Sequence, residues 1–225
     1  MEDRILIFAC MDSSYSCKGP AMAIDTLMAF ALFALVSSIT PGPNNLMLLA
    51  SGVNFGFRAT LPHMLGISIG FMILVLAVGV GLAGLFAVFP WLYVVLKWAG
   101  AAYLLYLAWN IANAGPIENK TQDAAHKAGP MSFLSAAAFQ WINPKAWVMA
   151  LGAFSTYIPA TSGFWMVVLA AGVFAVINLP SVGLWALFGA KVRHLLKVER
   201  NLRIFNYGMA LLLVLSLYPM LISAS

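Results

Sequence analysis

Two short stretches hold most of the polar chemistry of an otherwise apolar chain: Thr40-Pro41-Gly42-Pro43-Asn44-Asn45, and Gln140 with Asn143-Pro144-Lys145. Proline donates no backbone hydrogen bond and its ring clashes with the preceding turn, so a helix through Pro41 and Pro43 must break. In hydrocarbon the freed carbonyls and amides are tolerated only where neighbouring helices, side chains or water satisfy them, which turns the break toward the bundle interior or a cavity. Asn44 and Asn45 then start a second half-helix, a place where asparagine caps well. That end presents amides and the positive end of a helix dipole, which suit a carboxylate, and the preceding half-helix end offers carbonyls to a cation. A zwitterion fits both ends. A packing kink with capped asparagines is the plainer reading, since prolines are common in membrane helices.

Lys145 lies midway along its apolar segment, where exposure to lipid would cost about 3 kcal/mol. It is expected to face a cavity and pair with a bound carboxylate or with neighbouring carbonyls, or else to reach an interface after the break. Asn178 and Pro180 are expected to interrupt a later segment, with Asn178 either touching a bound solute or bridging two helices. Lys97 is near enough to an end to snorkel. Gly66 and Gly70 match the small-xxx-small pattern of close helix packing, continued by Gly79, Gly81 and Gly84. His63, at the end of a loop, is expected at the interface. No Asp or Glu falls inside an apolar segment, Asp25, Glu118, Asp123 and Glu199 being at ends or in loops. A proton relay built on a buried carboxylate is therefore unavailable. The two cysteines, Cys10 and Cys17, form no CxxC pair and there is no histidine cluster, so neither a metal nor a disulfide is expected.

The elements that must position these residues follow from composition. With 63% hydrophobic and 8% charged residues in 225, against about 25% charged in a soluble domain, the chain reads as an all-α polytopic membrane protein. Apolar segments run over residues 26–50, 64–89, 91–112, 132–157, 164–190 and 204–222, each long enough for a hydrocarbon core of about 30 Å. They are helices, because a barrel would show alternating segments of about ten residues. Six transmembrane helices are expected, in two inverted three-helix repeats, with the first and fourth broken at proline. Thr40-Pro41-Gly42-Pro43 answers to Asn143-Pro144-Lys145, and Trp98-Ala99-Gly100-Ala101 falls near Tyr207-Gly208-Met209-Ala210. Inverted repeats place a site at their interface and are a transporter signature.

Arg58 lies in the first loop, Lys120 and Lys127 in the third, and Lys191, Arg193, Lys197, Arg200 and Arg203 in the fifth. This puts the odd-numbered loops in the cytoplasm and both termini outside. The formal charge of +5 is thus an orientation signal, and no nucleic-acid partner is expected. Residues 1–21 are read as a disordered extension or an upstream start, with the transmembrane domain at 22–225. An intramembrane enzyme is disfavoured by the lack of a buried Asp pair, HExxH or GxSxG setting; a channel or an assembly protein would leave two matching helix breaks unexplained.

The stretch from Pro41 to Gly70, PGPNNLMLLASGVNFGFRATLPHMLGISIG, and that from Leu96 to Trp109, LKWAGAAYLLYLAW, resemble the LysE/RhtB family of bacterial amino-acid exporters. The resemblance covers Met22 to the C-terminus. It implies a multi-pass inner-membrane exporter of amino acids or their derivatives, driven by the proton gradient and without a cofactor. The Asn44-Asn45 pair and the WAGAAY stretch are most similar to the cysteine and O-acetylserine branch, implying a small neutral or polar substrate such as these, homoserine or threonine. Carried over residue by residue, Pro41, Gly42, Pro43, Asn44, Asn45, Asn143, Pro144 and Lys145 fall on the transport pathway. Coupling to protons would then use Lys145, the substrate itself or a loop residue. A homodimer is compatible with this layout.

Overall fold

The computed structural model describes residues 24–82, 84, 88, 89, 91–114, 129–159, 162–196 and 198–218. The extension at 1–21 with Cys10 and Cys17, and Glu118, Lys120, Asp123, Lys127 and Lys197, lie outside the described residues. All regular structure among the described residues is helical: α1 Ile24–Ile39, α2 Pro43–Phe55, α3 Phe57–Ala77 with a π turn Val78–Leu82, α4 Trp91–Ala112, α5 Phe133–Phe139, α6 Pro144–Thr156, α7 Phe164–Val192 with a 3-10 turn Arg193–Leu195, and α8 Glu199–Leu215.

Proline sets where several of these begin. Pro43 and Pro144 each stand in the first helical turn, of α2 and α6, where a missing amide costs nothing and φ is already helical. Between Ile39 and Pro43 the chain turns, and α1 meets α2 at 52°. Gly56, at φ 84°, takes the left-handed conformation that lets α2 end and α3 start within one residue. Pro180 behaves differently from expectation. It and Asn178 do not interrupt α7, which runs unbroken through both. A membrane helix tolerates a proline of this kind where the surrounding protein accommodates the freed carbonyl, here that of Val176; one residue on, the Ser181 hydroxyl donates to the Ile177 carbonyl at 2.7 Å.

Among the described residues, three helices are long and apolar enough to cross a bilayer, or four if the bent α1–α2 pair is one span. The distribution of side chains agrees with hydrocarbon as the surrounding solvent. Val94, Trp98, Leu105 and Trp109 of α4 and Val176, Leu184 and Phe188 of α7 point outward, while Asn45, Gln140, Asn143, Asn178 and Asn206 are buried. That is the reverse of a water-soluble surface.

The central helix is α7, packed on α1, α2 and α3, with α5 on α3 and α8 on α4. One core gathers Phe30, Phe71 and Phe174 with Ala146, Ala150 and Ala153 of α6. Its rings meet edge to face, Phe30–Phe174 at 5.2 Å and Phe71–Phe174 at 5.0 Å, the arrangement their quadrupoles favour. Leu48, Ile67, Ala136 and Val182 join α2, α3, α5 and α7 in a second core. Glycines permit these approaches: a Cβ on Gly66 or Gly70 would overlap backbone of α5 at Phe133 and Ala137, and one on Gly52 or Gly189 would overlap the facing backbone of α7 or α2. Van der Waals contact of this kind is what holds helices together where lipid is as apolar as leucine.

Candidate functional site

The end of α1 leaves carbonyls that no further turn can satisfy. Side chains from three other elements take them up. Asn45 Nδ2 donates to the Ser38 and Thr40 carbonyls, both at 2.8 Å. Trp185 Nε1 of α7 reaches the Ile39 carbonyl at 3.0 Å. Lys145 Nζ of α6 donates to the Thr40 carbonyl at 2.6 Å and to Thr40 Oγ1 at 2.9 Å, with the Pro41 carbonyl at 3.4 Å. The lysine is therefore tied to the first break by its charge, which answers the negative end of the α1 dipole. Its stem crosses Gly42 so closely that a Cβ there would lie 2.7 Å from Lys145 Cδ.

Asn44 and Asn45 do not cap α2 as their position suggested. Gly42 is the cap residue, and no side chain caps this end. Asn44 instead exchanges a reciprocal amide pair with Gln140, Nδ2 to Oε1 at 2.8 Å and Nε2 to Oδ1 at 3.2 Å. Gln140 also donates to the Ala136 carbonyl at 2.8 Å. The second break is capped by its own asparagine, Asn143 Oδ1 accepting from the Lys145 amide at 3.1 Å. Asn178 on α7 joins the same region, donating to Ser38 Oγ at 3.3 Å and accepting from Ser68 Oγ at 3.1 Å. Its contacts are thus interhelical hydrogen bonds.

Gly42, Asn44, Asn45, Gln140, Asn143, Lys145 and Asn178 line one narrow cleft. Ser37, Ser38, Phe71, Ala146, Met149 and Val182 complete the wall. Pro41 borders it through its carbonyl, and Pro43 and Pro144 set the helices that frame it. Lys145 is the one charged side chain among the lining residues, and no carboxylate stands there. Cation acceptors lie on one side, where α1 ends, and helix amides lie at the start of α2. Cation-binding and anion-binding groups thus stand close together in the chain, the former held by Lys145.

Ser37, Ser38, Ser68 and Trp185 escaped sequence reasoning, because a serine or tryptophan in an apolar run carries no local signal. A second buried pair, Asn54 with Asn206 at 2.8 and 3.1 Å, lies toward the other end of α2 and was missed for the same reason. His63 was expected at an interface. It is buried inside the bundle, with neither ring nitrogen hydrogen-bonded among the described residues.

Residues 35–217 match the family described as LysE type translocator. The chain belongs to that family. Among curated relatives, the LysE-type chain is 35% identical to the cysteine/O-acetylserine efflux protein of Escherichia coli (strain K12) over 190 residues, 84% of this chain and 93% of that protein. Its counterparts from Shigella flexneri serotype 5b and Escherichia coli O139:H28 also match at 35% identity, over 84% and 85% of this chain and 93% and 92% of theirs. No solved structure matches. The LysE assignment makes this a membrane transport protein, and it takes in both stretches that build the cleft.

Proposed function

We propose that this LysE-type translocator is a secondary-active exporter of small neutral or polar amino acids, of the cysteine and O-acetylserine kind, driven by the proton gradient across the bacterial inner membrane. The observation that carries this reading is the cleft where α1 ends and α2 and α6 begin at proline: carbonyls at the end of α1 suit an ammonium, and amides at the start of α2 suit a carboxylate. The lack of acidic groups among the cleft's lining residues favours a zwitterion over a cationic amino acid. The names of the relatives supply cysteine and O-acetylserine as the first substrates to try.

In this reading six spans cross the membrane: α1 with α2, α3, α4, α5 with α6, α7, and α8. The halves α1–α4 and α5–α8 are inverted copies that rock about the cleft, exposing it to one side at a time. Pro43 and Pro144 in equivalent places support the repeat. The nearness of Gly56 to the Arg193 guanidinium supports placing the first and fifth loops on one face, which the lysines and arginines make cytoplasmic. The test is efflux of a panel of radiolabelled amino acids from cells expressing the chain, with and without a protonophore. Saturable, protonophore-sensitive efflux of one amino-acid class is expected. No efflux of any amino acid from correctly inserted protein would overturn the reading.

A further inference from the structure

The ammonium of Lys145 occupies the position that the exporter reading gives to the substrate's own ammonium. Its acceptors are the Thr40 carbonyl, Thr40 Oγ1 and the Pro41 carbonyl, and three acceptors are what one ammonium requires. Both cations therefore want the same oxygens. The end of the α1 dipole offsets only about half an elementary charge, and two ammonium groups sharing it would repel strongly at contact distance.

Among the described residues, nothing else near the cleft can balance a second positive charge. The lining residues other than Lys145 are neutral. Of the elements packed against α6, α1 carries only Asp25, in its first turn, about 20 Å along the helix from the cleft at 1.5 Å per residue. The charged and titratable groups of α3 are Arg58 and His63 in its first turns, and the π turn that follows it has none. His63 stands about 12 Å along the axis from Phe71 of the lining, and Arg58 further. At the cleft's other walls, α2 and α5 have no ionisable side chain and α7 has Lys191 in its last turn.

We infer that Lys145 and the substrate ammonium alternate on the oxygens at the end of α1, and that Lys145 loses its proton each time the substrate takes its place. The inference rests on the exporter reading above. With the cleft open to the cytoplasm, an arriving amino acid seats its ammonium on the Thr40 and Pro41 oxygens. One N–H bond of Lys145 breaks, the electron pair stays on Nζ, and the proton leaves to water at the cytoplasmic mouth. With the cleft open outward, the amino acid departs and neutral Nζ takes a proton from external water, then returns to its carbonyls. Each cycle moves one zwitterion out and one proton in. Lys145 is thus the coupling group.

The experiment is titration calorimetry on the purified full chain in detergent, with O-acetylserine and serine as probes, in buffers of different protonation enthalpy between pH 6 and 8. Both probes enter as ammonium species, so a released proton comes either from the probe or from the protein, and the Lys145→Met variant tells the two apart. About one proton released per molecule bound is expected, with affinity rising about tenfold per pH unit. Lys145→Met should abolish the release and flatten the pH dependence. Gly42→Ala is the second variant. It keeps the lysine but crowds its stem, and at φ 179° it strains no backbone, so it should weaken the pH dependence without removing a hydrogen-bonding group. Binding without proton release in the unmodified chain overturns this inference and leaves the exporter reading standing. Undiminished proton release in Lys145→Met also overturns it. Failure of the unmodified chain to bind or export any amino acid overturns both.

Discussion

The amide pair between Asn44 and Gln140 joins the first break to the second, and its strength can be worked out from the structure. Two hydrogen bonds, at 2.8 and 3.2 Å, run between the side chains. Interhelical bonds inside membranes average about 0.6 kcal/mol in double-mutant cycles and reach about 1.7, so the pair should couple by about 1–3 kcal/mol. Removing one partner also strands the other. Asn44→Ala should therefore cost about 1–3 kcal/mol. Gln140→Ala should cost more, because Gln140 is wholly buried and gives up its additional bond to the Ala136 carbonyl as well. The double variant should be little worse than Gln140→Ala alone. Reversible unfolding of purified protein in mixed micelles, followed by circular dichroism, measures all four corners of the cycle. Costs that add to within about 0.3–0.5 kcal/mol would refute the pairing, and with it the claim that the two breaks are held as one unit.

Gly66→Leu forces a side chain into the Phe133 carbonyl of α5 and should destabilise by about 1–3 kcal/mol or more in the same micelle unfolding assay; Gly84→Ala, which meets nothing within 4 Å, should be neutral there. His63→Leu replaces a buried ring that has no hydrogen-bond partner among the described residues, so stability should hold or rise by about 1 kcal/mol, as follows when an unsatisfied polar group is replaced by an apolar one. A large loss on His63→Leu would show that the imidazole has a partner after all.

The membrane environment and the helical class were legible because they depend on sums over many residues. So was the start of a helix at Pro43 and at Pro144, since a missing amide costs nothing in a first turn. The partners of the polar groups were not legible. Lys145 meets Thr40 across 105 positions and Asn54 meets Asn206 across 152, and which side chains face each other depends on how each helix is rotated. Apolar periodicity normally reports that rotation, but α3, α4 and α7 are apolar on every face, toward lipid and core alike. Pro180 shows the same limit from the other direction, because whether a proline ends a helix depends on what its neighbours can satisfy.

By itself the sequence determined that this chain lives in hydrocarbon, that it is helical, and that amides such as Asn45, Gln140 and Asn143 must turn inward. Transfer free energy and backbone hydrogen bonding settle these points locally. Only the tertiary structure decided that Lys145 seats on the carbonyls of α1, that Asn44 pairs with Gln140 in place of capping its own helix, and that Asn178 ties Ser38 to Ser68. Each needs two or three helices in contact at particular rotations. Those rotations come from glycine-mediated backbone contacts and aromatic packing that no single segment encodes.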